Sequence, residues 1–105
     1  MVISATQLRK STISANRFIR MVLSPIVDYN SITPGEKRMI PCRIEAATKT
    51  LHTEAACIVP KRRSEIQTEP RVWPRGAREC IVAGDELQWT VEDGVLVIRV
   101  VTGKQ

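Results

Sequence analysis

The sequence predicts a mainly β fold of the α+β kind: a small β-barrel or sandwich with a C-terminal β-hairpin and one N-terminal helix. Three observations predict it. Asp93-Gly94 sits between two stretches of alternating apolar residues. Residues 38–59 repeat with a period of two. Residues 4–24 repeat with near-helical spacing instead.

The N-terminal helix comes first. Ser4 can cap it, and Gln7 three positions on completes a capping box. Leu8, Ala15, Phe18, Ile19 and Val22 then share one face. Pro25 stops the segment, because proline cannot continue a helix. The β-branched Thr12 and Ile13 are its weakest point. Arg9, Lys10, Arg17 and Arg20 fall on the solvated face.

Pro34-Gly35 within NSITPGE suits a type II turn, where glycine takes the positive φ. After it, Cys42, Ile44, Ala46 and Thr48 alternate with polar neighbours, as do Leu51, Thr53, Ala55, Cys57 and Val59. Strands are the preferred reading, although the alanines and glutamates of EAATKTLHTEAA also suit a helix. Residues 60–78, with their prolines and arginines, read as an irregular connection. One short strand is expected near Ile66 and another at Val72-Trp73. Trp73 is either an exposed aromatic or a lid over the hairpin.

The hairpin is residues 84–101. A two-residue Asp-Gly turn needs positive φ at both positions. Pairing outward from it sets Val91 opposite Leu96, Trp89 opposite Ile98 and Leu87 opposite Val100. These six share one apolar face, and burial fixes the register. Val95, Val97 and Val101 leave the second face partly apolar, which points to a partner or a further layer. The expected organisation is one domain, 1–105, with 1–30 as a helical arm.

Composition bounds the function. The chain has 105 residues, 43% of them apolar and 26% charged, as in folded domains. No apolar run is long enough to span a bilayer, and the N-terminus lacks the apolar core of a secretory signal. A cytoplasmic setting without membrane attachment is expected. Cys42, Cys57 and Cys80 are odd in number and widely spaced, so they read as reduced, buried thiols. With His52 they could make a Cys₃His zinc set, but paired ligand spacing is missing. No cofactor is expected. A His52–Cys57 dyad is disfavoured, because an odd separation on a strand puts the two on opposite faces. Phosphate-binding glycine loops and hydrolase motifs are absent, so the chain is expected not to be an enzyme.

The net charge of +5 is unevenly placed. Residues 1–43 hold seven Lys or Arg against Asp28 and Glu36. Residues 61–78 hold Lys61, Arg62, Arg63, Arg71, Arg75 and Arg78 against Glu65 and Glu69. Residues 79–98 hold acids and no Lys or Arg. A basic body allows phosphate contacts.

The string Pro74-Arg75-x-x-Arg78-Glu79, followed by Gly84-Asp85-x-Leu87-x-Trp89-x-Val91-Glu92-Asp93-Gly94-x-Leu96-x-Ile98-Arg99, resembles the AbrB-like swapped-hairpin DNA-binding domain. The resemblance covers about residues 66–100. It implies a helix starting at Pro74, two interlocked chains, and a homodimer interface of Leu87, Trp89, Val91, Leu96, Ile98 and Val100. It also implies DNA contacts from Arg71, Arg75 and Arg78, to which charge adds Lys61, Arg62 and Arg63. The same hairpin is similar to the last strands of the CS domain of co-chaperones, through Gly76, Val82, Asp85-Glu86, Trp89, Val91-Glu92-Asp93-Gly94, Leu96 and Ile98. Two readings follow. The first is a small DNA-binding regulator or antitoxin-like protein acting as a dimer. The second is an adaptor for protein partners in a larger assembly, such as a phage particle or a chaperone-type complex, without nucleic-acid binding.

Overall fold

The first helix begins where the capping box requires. In a computed structural model that describes residues 1–60 and 69–101, α1 spans Ala5–Lys10. The Ser4 hydroxyl accepts from the Gln7 amide at 3.1 Å, and the Gln7 side-chain oxygen accepts from the Ser4 amide at 2.8 Å. The helix ends at Ser11, whose φ of 54° is left-handed. Thr12 and Ile13 then extend, and β1 is Ile13–Ser14. Asn16 restarts the helical path by accepting from the Ile19 amide at 2.9 Å, and α2 spans Arg17–Leu23.

The single helix expected over residues 4–24 is therefore two helices with a strand between them. The left-handed cap at Ser11 and the side-chain cap at Asn16, together with the β-branched pair, outweigh the helical spacing of the apolar residues. The face is corrected as well: Ile19 is buried, but Phe18 is exposed. Pro25 ends α2 as expected.

Tyr29–Ser31 form one 3₁₀ turn. Pro34 and Gly35 form the next turn, with Gly35 at φ 90° and the Glu36 amide donating to Thr33 at 2.9 Å. β2 (Lys37–Glu45) and β3 (Thr50–Ile58) follow as an antiparallel pair. The period-two reading holds within the two strands, where Cys42, Ile44, Ala55 and Cys57 are buried. It does not hold at Ala46 and Thr48, which lie in the turn closed by the Ala46 amide on the Lys49 carbonyl at 2.9 Å. β4 is Arg71–Pro74. It pairs with β3 on one side and with β1 on the other. Lys61, Arg62, Arg63 and the strand expected near Ile66 lie outside the described residues.

Gly76, at φ 77°, turns the chain into a 3₁₀ turn at Ala77–Glu79. A helix starting at Pro74 does not form, because Pro74 closes β4 by pairing with Ala55. The chain then crosses the sheet, burying Ala77 and Ile81. It returns as the hairpin of β5 (Glu86–Glu92) and β6 (Val95–Val101). Asp93 and Gly94 have φ of 53° and 77°, as a type I′ turn demands. The register is the expected one.

β6 inserts between β5 and β2, and it pairs with β2 in parallel from Cys42↔Leu96 to Glu45↔Arg99. The result is one six-stranded, curled half-barrel sheet in the order β1-β4-β3-β2-β6-β5. Its concave face, α2 and the crossing segment enclose the core. At the start of β5, residues 1–3 cover the free edge: Ile3 and Gly84–Asp85 exchange backbone bonds of 2.9 and 3.0 Å.

The two glycine turns should differ in tolerance. An alanine methyl at Gly94 meets nothing within 4 Å, so Gly94→Ala carries only the left-handed backbone cost, about 1–2 kcal/mol. At Gly76 the methyl would also sit 2.8 Å from the Leu51 side chain, which packs on the core. Urea unfolding should show Gly76→Ala to be the more destabilising of the two.

Candidate nucleic-acid interface

Arg71 and Arg78 reach the same helix by different routes. On β4, Val72 and Pro74 face the core, so Arg71 points from the outer face beside its cross-strand neighbours Ser14 and Ile58. Its carbonyl is pinned by the Tyr29 hydroxyl at 3.1 Å. Across β1, Arg71 shares a hollow of about 170 Å³ with Thr6, Gln7, Lys10, Thr12 and Ser14.

Arg78, one turn beyond β4, donates to the carbonyls of Leu8 and Arg9, each at 3.0 Å, and to the Ser11 hydroxyl. These are the open carbonyls at the end of α1, where a cation also complements the helix dipole. The same guanidinium lies 5.9 Å from the centre of the Trp73 ring. Trp73 is half-buried on the outer face rather than fully exposed.

Arg75 goes elsewhere. Its amide donates to Glu54 at 2.9 Å, and its side chain borders a second hollow with His52, Glu54, Pro41 and Val95. The three arginines expected to act together are thus split: Arg71 and Arg78 flank α1, and Arg75 borders the separate hollow on β2 and β3. Lys61, Arg62 and Arg63 lie outside the described residues. Lys10, which the sequence places on an ordinary solvated face, joins Arg71 because β1 folds the N-terminal segment onto β4. No local sequence signal marks that pairing.

The six hairpin residues expected at a dimer interface take another place. Leu87, Trp89, Leu96 and Ile98 are buried in the chain's own core, and Val91 and Val100 pack partly buried against it. Of the apolar surplus on the hairpin's second face, Val97 is covered within the chain, Val95 is half-buried and Val101 stays exposed. There Arg43, Glu45, Arg99 and Glu92 close a ring of ion pairs with contacts of 2.8, 3.3, 2.9 and 2.9 Å. The ring surrounds Val97, which is fully buried. The acids of the hairpin are therefore partly neutralised in place.

His52 and Cys57 face opposite sides of β3, and His52 is exposed where Cys57 is buried. Burial pushes the Cys42 thiol up to about 12 and raises the Cys57 thiol and the Tyr29 phenol. Neither thiol is a nucleophile at neutral pH. Among the described residues no group of His, Cys, Asp and Glu is placed to hold a metal ion, and no helix is long and apolar enough to cross a membrane.

Comparison with family models, curated proteins and solved structures finds no match to this chain.

Two outcomes follow. Hydrogen bonding from Arg43, reinforced by the charge of Arg99, holds the Glu45 carboxyl below its ordinary value of 4.5. A carboxylate depressed in the folded state stabilises above its unfolded value, and the stabilisation is lost as pH falls through the folded value. Glu45→Gln should flatten the acid limb of the stability–pH curve below pH 4.5 and leave its neutral shape unchanged. A thiol reagent should label half-exposed Cys80 in the native protein. Buried Cys42 and Cys57 should react only after unfolding.

Proposed function

We propose that this chain is a non-enzymatic module that binds nucleic acid through its phosphates. The observation that carries the reading is the corner formed by α1, β1 and β4. There Lys10 from one basic segment and Arg71 from another line one hollow, and among the described residues no carboxylate borders it. Among the described residues neither cation is in an ion pair, in contrast to Arg43 and Arg99. Cations left uncompensated are the ones free to replace the counterions on a phosphate backbone, and that release drives binding. Arg78 supports the corner by capping α1 and adds its charge at the edge. In its fuller form the reading is a small DNA-binding regulator or antitoxin-like protein. Dimerisation would then use surfaces other than the hairpin's apolar face, which is occupied.

One observation favours the adaptor reading instead. Phe18 and Met21, three residues apart on α2, are 62% and 64% exposed, which suits a protein partner more than a phosphate chain.

The test is a fluorescence titration with a short random duplex DNA at low and moderate salt, alongside light-scattering mass. Affinity should fall steeply with salt. Lys10→Ala and Arg71→Ala should each lower the slope of log affinity against log salt by about one. Arg78→Ala should also lower the melting temperature, because it uncaps α1. No affinity at low salt would remove the nucleic-acid reading and direct the search to partners of Phe18 and Met21.

A further inference from the structure

From the hollow at the α1–β1–β4 corner, we infer a site for a single phosphomonoester group, held between Lys10 and Arg71. This deepens the proposed phosphate reading and rests on the same corner.

Size and donor chemistry both point to that group. A hollow of about 170 Å³ equals roughly five or six water volumes. It has room for one tetrahedral oxyanion and its waters. The lining is rich in donors. Lys10 and Arg71 bring charged N–H groups, and Thr6, Thr12 and Ser14 bring hydroxyls. Gln7 uses its side-chain oxygen in the capping box, so its amide nitrogen remains free to donate. Two cations with no carboxylate beside them among the described residues call for a ligand of about two negative charges. A phosphomonoester carries roughly −1.5 to −2 at pH 7 with three acceptor oxygens, whereas an internal phosphodiester carries one charge and offers two such oxygens.

The backbone around the hollow is prepared for an anion. The end of a helix normally repels one, because its open carbonyls are partly negative. Here three of the last four carbonyls are engaged: Arg78 takes Leu8 and Arg9, and the Thr12 amide takes Gln7 at 3.2 Å. The left-handed Ser11 reverses the chain, so that Thr12 and Ser14 come back beside Lys10. Arg71 is fixed from behind through its carbonyl by Tyr29. The group recognised can belong to a nucleic-acid end or to a small phosphorylated molecule, and the chemistry of the site is the same for both.

Two probes separate these sources. The first is inorganic phosphate, titrated into the full chain and followed by amide chemical shifts. Shifts should centre on Thr12, Ser14 and Arg71, and Lys10→Ala or Arg71→Ala should weaken the affinity about tenfold. Thr12→Val keeps the strand-compatible shape and removes only a donor, so it should weaken binding without loss of spectral dispersion. Phosphate shifts that centre elsewhere, or that persist unchanged in both charge variants, overturn the site. The second probe is one oligonucleotide with either a 5′-phosphate or a 5′-hydroxyl. Tighter binding of the phosphorylated form, lost in Arg71→Ala, assigns the group to a nucleic-acid end. Equal binding of the two forms, with phosphate binding intact, assigns it to a small phosphorylated molecule. Salt-dependent duplex binding that survives without any phosphate site leaves the nucleic-acid reading standing and removes this one. Phosphate binding with no affinity for any oligonucleotide does the reverse.

Discussion

The structure depends on the parallel pairing of β6 with β2. The pairings of β2 with β3, β3 with β4 and β5 with β6 join antiparallel strands that follow one another in the chain. The distant β1–β4 pair is antiparallel and involves only Ile13 and Ser14 of β1. The β6–β2 pairing brings residues 42–45 beside residues 96–99. A parallel pair cannot be closed by a tight turn and needs a crossing. The chain must leave β4 at one side of the sheet, pass over the core and re-enter at the other side. Burial of Ala77 and Ile81 holds that crossing down. On the concave face the junction is sealed by Cys42 against Leu96 and Ile44 against Ile98. On the convex face it is closed by the ion-pair ring around Val97. Removing one partner from such a ring would leave the others poorly compensated, so the four charges act as a unit.

The location of the basic corner follows from the crossing. Because the chain turns away from β4 at Gly76, the next residues run past the end of α1, and Arg78 meets its carbonyls. Because β1 must pair with β4, α1 is brought over the outer end of β4, and Lys10 approaches Arg71. The same topology draws Arg43 and Arg99 to Glu45 and Glu92. A chain with a net charge of +5 thereby satisfies some cations with acids on the convex face and leaves others open at the corner. Charge polarity here is a product of strand order, not only of the linear distribution of Lys and Arg.

Elements set by local chemistry were legible in the sequence. The Asp93-Gly94 turn, the hairpin register, the Pro34-Gly35 turn and the Ser4–Gln7 box each depend on residues within a few positions of one another. The alternation in residues 38–59 was legible because one face is buried and the other is not. The break between α1 and α2 was visible only as a weakness at Thr12-Ile13. The caps at Ser11 and Asn16 set the break locally, and the long-range pairing of Ile13 with Val72, which no local pattern reports, fixes the extended segment between them. Nor could the hairpin sequence show that its apolar face packs within the same chain, since any apolar face is equally consistent with a second subunit. For the candidate site, charge pointed to the arginines of residues 71–78 but could not sort them. Arg71 is open, Arg75 lies by Glu54, and Arg78 caps a helix, because contacts distant in sequence assign those roles.

The corner also differs from the rest of the molecule in how it is secured. β1 contributes two residues to the sheet, and α1 has six residues, none of them buried. Short helices are marginal alone, so α1 relies on its capping box, on Arg78 and on the packing of Leu8 against the core. Regions with few buried contacts open at lower free energy than the core. An anion bridging Lys10 on α1 and Arg71 on β4 would tie the least secured element to a strand fixed on both sides. Whatever binds the ordered form more tightly than the open one stabilises it by mass action. Occupancy of the proposed site and local order would then be linked: a bound anion would complete the charge balance that the fold leaves open and would hold the segment that carries half of the site against the strand that carries the other half.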